Sequence, residues 1–127
     1  MSDLKLNRHG VNAKIHASIL PEEKMREIGF TDNCKEMWYF LRGIQFPKNK
    51  KYRGFEVSFS VTIPKDGNDI RIDVLDEAFC QPYDYQYMLE KNPNFEPCLI
   101  VKEQVEHWMS YLQERGVLTG HEVGEYI

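Results

Sequence analysis

The sequence predicts an α+β fold, a small antiparallel sheet of three to four strands covered on one face by a long C-terminal helix. Three observations predict it. Apolar and polar residues alternate from Phe55 to Ile63 and again from Ile70 to Val74, the period-two signature of half-buried strands, here expected over 54–63 and 69–76. Pro64-Lys65-Asp66-Gly67-Asn68 separates the two runs, and Asp-Gly-Asn supplies the turn residues that a chain reversal needs. From Cys98 to Leu112 apolar residues recur at three- and four-residue steps, the spacing of one helical face. Parallel strands buried on both sides would read as continuous apolar runs, so alternation favours an antiparallel sheet with one wet face.

The elements follow in order. Residues 1–10 lack periodicity and are read as a mobile arm of a single domain spanning 1–127; 127 residues is about one domain length. Val11, Ala13, Ile15, Ala17 and Ile19 alternate with polar residues, which predicts a strand over 11–19 as a member of the sheet. Pro21-Glu22-Glu23 has the composition of a first helical turn, and Gly29 suits a left-handed stop, so a short helix is expected near 22–28. Segment 33–46 carries two signals. Asn33 with Glu36 forms a capping box, whereas Trp38-Tyr39-Phe40 favours a strand bracketed by Gly43 and Pro47. The strand is preferred, over 37–46. Pro82 is expected to open a second short helix, near 83–91, which Asn92-Pro93-Asn94 ends. The long helix is placed at 97–115, with Cys98, Val101, Val105, Trp108 and Leu112 facing the sheet and Gly116 as its stop.

Composition narrows the class of function. Apolar residues make up 42% and charged residues 28%, with a net charge of −4, so a uniformly basic nucleic-acid coat is excluded. The charge is polarised: residues 1–53 hold 11 basic and 6 acidic residues, and residues 54–127 hold 5 and 14. Apolar runs are far shorter than the ~20 residues of a membrane span. Met1-Ser2-Asp3-Leu4-Lys5 has no apolar leader core, so a cytoplasmic location is expected. Three widely spaced cysteines, Cys34, Cys80 and Cys98, read as reduced thiols.

Candidate sites are few. The basic stretch Arg42, Lys48, Lys50, Lys51 and Arg53, with Tyr52 among them, offers phosphate neutralisation and base stacking; the plainer reading is a solvated loop. Asp69, Asp73, Asp76 and Glu77 form an acidic group, but Asp73 and Glu77 on one strand face would stand about 13 Å apart, too far for one metal. Tyr83, Tyr85 and Tyr87 suit a binding rim, since tyrosine combines an apolar body with a polar tip. The competing reading has Tyr85 in the core. Cys34 follows Thr31-Asp32-Asn33, a helix-start composition that could activate a thiol, although no histidine lies near it in sequence. Phosphate-binding, zinc and serine-hydrolase motifs are absent from the sequence.

The sequence therefore leads to a small cytosolic interaction or adaptor module, with binding residues drawn from the tyrosine segment and the basic stretch. It implies no cofactor, catalytic set, metal or membrane. A protein partner or a second copy, paired through a free sheet edge, is the expected occupant. Two alternatives belong to other classes: a nucleic-acid-associated factor using the basic loop 48–53, and a small enzyme with a cysteine or carboxylate site.

Overall fold

A computed structural model of the chain describes residues 15–32, 36–46, 56–67, 70–76 and 81–120. In chain order the elements are β1 (His16–Ala17), α1 (Glu22–Ile28), β2 (Met37–Gly43), β3 (Val57–Pro64), β4 (Arg71–Asp76), β5 (Gln81–Pro82), α2 (Tyr85–Lys91), α3 (Glu96–Glu114) and β6 (Leu118–Thr119). Four of them form an antiparallel sheet in the order β2-β3-β4-β5, and β1 pairs with β6 in a separate two-stranded ladder. The α+β architecture expected from the alternation is the architecture found.

The alternating runs make the middle of the sheet. In the register Phe40↔Val61, Arg42↔Phe59 and Val61↔Ile72, directly opposed residues share a face. Trp38, Phe40, Phe59, Val61, Ile63, Ile72 and Val74 therefore line one side, and all are buried. The long helix packs on that side. Its buried residues are Pro97, Cys98, Val101, Val105, Met109 and Leu112, so Met109 takes the inward place expected of Trp108. Trp108 is half-buried at the shoulder of the helix, edge-on to Phe40 with ring centroids 5.7 Å apart. Gly116, at φ 83°, adopts the left-handed conformation that ends the helix at little cost to glycine.

Phe40 is the hub of this packing. Its ring meets Phe30 at 5.1 Å, Phe59 at 6.4 Å and Tyr111 at 6.3 Å between centroids, which joins the segment after α1, the sheet and α3. Tyr111 also donates its hydroxyl proton to the Ile28 carbonyl at 2.9 Å, fixing α3 to the end of α1.

Two expectations are corrected. The strand placed at 11–19 does not join the main sheet. Within its described part only His16–Ala17 is a strand, paired with Leu118–Thr119, and Ile19 is 39% exposed. Alternation specifies which side chains face inward but not which strand lies alongside. The second short helix begins at Tyr85 rather than 83, because Gln81–Pro82 is extended along β4 and the Tyr83 N–H donates to the Val74 carbonyl at 2.8 Å. Asp84 caps the helix by accepting from the Tyr87 N–H at 3.0 Å, as a short acidic side chain does well.

Candidate functional site

The sheet has one long edge, and the main candidate site lies along it. Phe40 and Arg42 sit in ladder register with Val61 and Phe59, and the Ile44 N–H donates to Val57 at 2.8 Å. Even-numbered residues of β2 thus turn their backbone groups toward β3, and odd-numbered ones turn theirs outward. Tyr39 is met there by Thr31, each N–H donating to the other's carbonyl at 2.8 Å. Further along, the acceptors are taken by side chains. Arg42 Nη1 donates to the Leu41 carbonyl at 2.8 Å, and Gln45 Nε2 donates to the Gly43 carbonyl at 3.2 Å. Gln104 of α3 then closes both groups of Gln45: its Oε1 accepts from the Gln45 N–H at 2.7 Å and its Nε2 donates to the Gln45 carbonyl at 2.5 Å. The N–H groups of Leu41 and Gly43 have no acceptor among the described residues.

Arg42 arises from the inner face of β2 and bends round its edge. Its guanidinium lies 4.4 Å from the Phe40 ring centroid and 5.4 Å from that of Trp108, a cation–π stack worth about 0.5–2 kcal/mol. Gly29 makes the space, since a Cβ there would collide with the guanidinium. No carboxylate pairs with Arg42 among the described residues. Beside it opens a groove of about 700 Å³, lined by Gly29 and Thr31, by Tyr39 through Arg42, and by Ser60. Leu41 stands 53% exposed at its margin. A second groove, of about 620 Å³, runs between α1 and α3 past Lys24, Glu27, Tyr111 and Arg115.

The residues nominated by sequence separate in space. Tyr83 and Tyr85 are 7% and 1% exposed, so they belong to the core rather than to a rim; a large aromatic ring that reaches the core is worth more buried than wet. Tyr87 alone of the three is open, at 54% exposure, with Lys91 5.4 Å from its ring centroid. The Tyr83 hydroxyl lies 3.5 Å from Cys98 Sγ. Burial pushes both groups upward, the tyrosine further still through its bond to Cys98, so Cys98 is held as a thiol rather than as the reactive thiolate. Arg42 is at the groove, while Lys48, Lys50, Lys51, Tyr52 and Arg53 lie outside the described residues, as do Cys34, Cys80, Asp69 and Glu77. Asp73 is largely buried on the sheet face away from α3 and stands 3.7 Å from Arg71. Among the described residues no three of His, Cys, Asp or Glu group as metal ligands do, and no helix is long and apolar enough to cross a membrane.

Next to the groove, Asp32 accepts from Arg26 at 3.1 Å and from Lys65 at 3.3 Å. Partial burial works to raise its carboxyl, but the two cations outweigh that and hold it below the usual range. Arg26 and Lys65 in turn lie 5.6 and 4.9 Å from the Trp38 ring. Sequence reading missed Gly29, Thr31, Leu41 and Gln104 as parts of a site. Gly29 carried a signal only as a helix stop, and Gln104 carried none.

No family model matches the chain, and no curated protein matches it. A solved structure does resemble it: a DUF1831 family protein from Lactobacillus plantarum, 15% identical, with 82% of each chain covered and a TM-score of 0.57. At that identity the likeness concerns the fold.

Proposed function

We propose that the chain is a non-enzymatic interaction module of the cytosol that docks a protein partner on the β2 edge. The observation supporting this most is the groove at that edge, lined by an exposed leucine and by an arginine with no carboxylate among the described residues, with the backbone N–H groups of Leu41 and, further along the strand, Gly43 without acceptors among the described residues. Aromatic and arginine side chains beside a preformed apolar hollow are the usual makings of a binding anchor. A volume of about 700 Å³ accommodates a segment of chain rather than a broad globular face.

The test places a photo-crosslinking amino acid at Leu41 in the native cell, with Glu23 on the exposed side of α1 as control. A discrete adduct from position 41 that is absent from position 23 is the expected result, and its mass separates a foreign partner from a second copy. Equal, diffuse labelling from both positions would remove the edge as a docking surface.

A further inference from the structure

We infer that the β2 edge recognises the C-terminal carboxylate of a partner chain whose last residue is apolar. This rests on the reading of the groove as a docking surface, and it names what is docked.

The hydrogen-bonding inventory of the edge points to the ligand. An ordinary sheet edge offers alternating donors and acceptors, which is what an added strand requires. Here the acceptors are consumed from within: the Leu41 carbonyl by Arg42, the Gly43 carbonyl by Gln45 Nε2, and the Gln45 carbonyl by Gln104, whose Oε1 also accepts from the Gln45 N–H. Thr31 occupies the edge at Tyr39. What remains among the described residues is a set of donors, the N–H groups of Leu41 and Gly43, about 7 Å apart along an extended chain, with the Arg42 guanidinium held at the Leu41 carbonyl that lies between them in the chain. An internal strand would bring its own N–H groups to carbonyls already taken. A carboxylate brings acceptors only.

Two features select a chain end over an acidic side chain. A terminal carboxylate sits one bond from the Cα of the last residue, so the side chain of that residue falls directly beside the donors. There the groove is walled by Tyr39, Phe40 and Leu41, which suits an apolar group. Arg42 is also pre-set, held by Phe40 and Trp108 and fitted over Gly29, so little freedom is lost when it donates a charge-assisted bond to the carboxylate.

The experiment uses fluorescein-labelled heptapeptides of otherwise randomised sequence ending in Val, Leu, Ile or Phe. Each is made as the free acid and as the C-terminal amide, with an amidated set carrying glutamate at the penultimate position. Fluorescence anisotropy with the full chain should show at least one free acid binding tenfold or more tighter than its amide and than the internal-glutamate set. Arg42→Gln should reduce that binding about tenfold, with Arg42→Lys between, and in the unaltered chain the Leu41 and Gly43 amide resonances should shift most on titration. If Arg42→Gln fails to fold, the acid-to-amide ratio and those two resonances decide. Equal binding of acid and amide, binding of the internal-glutamate set as tight as the acids, unmoved Leu41 and Gly43 resonances, or no binding by any peptide each overturns the inference. A discrete crosslinked adduct from position 41 alongside silent peptides would retain the docking surface and discard the chain end as its occupant.

Discussion

The two edges of the main sheet are protected in opposite ways. β5 is two residues long and contains Pro82, which has no N–H to offer, and the chain turns at once into Tyr83 and Tyr85, both buried. That edge ends before it can be extended, a common defence against unwanted pairing. β2 runs for seven residues and is capped piecemeal, by Thr31, Arg42, Gln45 and Gln104. The first device cuts the edge short. The second leaves donors that have no acceptor among the described residues, together with a groove, which is why the proposed function attaches to β2 although the sequence directed attention to the tyrosines beside β5.

The largest expected effect tests whether the β2 side is anchored to the core. Phe40→Ala removes the ring shared by Phe30, Phe59, Trp108 and Tyr111 and should cost about 3–5 kcal/mol in urea unfolding. Tyr87→Ala, at the exposed end of the tyrosine segment, should stay within about 0.5 kcal/mol. A reversed order would move the structural weight to the β5 side. Gly29→Ala should come next, at about 1–3 kcal/mol, because Gly29 holds φ 124°, a conformation strained for residues with a Cβ. Part of that cost is the collision with Arg42, so in an Arg42→Ala background the penalty should shrink. Equal penalties in both backgrounds would show that the guanidinium does not rest on Gly29.

Gln104→Ala is expected to cost about 1 kcal/mol, with faster exchange of the Gln45 amide as its local signature. The smallest effect is electrostatic. Arg26 and Lys65 hold the Asp32 carboxyl below its ordinary value, so its contribution is present above the unfolded-state pKa, near 4, and is lost as pH falls through the lower folded-state value. Chemical denaturation of wild type should therefore weaken more steeply below pH 4 than that of Asp32→Asn. Parallel curves would dissociate Asp32 from the stability of this corner.

Much of the fold was legible because burial imposes a period. The alternation from Val57 to Ile63 and from Ile70 to Val74 located the sheet, and the helical stripe located its cover. What escaped depended on partners rather than periods. The neighbour of His16–Ala17 lies about a hundred residues further on, and Pro82, read as a helix opener, serves equally well on a sheet edge. Trp108 was expected inward because large apolar residues usually are, yet Met109 one step on completes the same stripe and fits the core. At the site, Arg42 was visible as a cation among other basic residues. Its meaning came from Gly29, Phe40, Trp108 and Gln104, and nothing in local sequence announces that these meet.

Whether the β2 edge is open is read from amide hydrogen exchange, resolved residue by residue along β2 of the free chain. Leu41 and Gly43 should exchange far faster than Tyr39, which Thr31 holds, and than Phe40 and Arg42, which face β3. Protection of Leu41 and Gly43 equal to that of Tyr39 would mean that the edge is already filled and not open to a ligand.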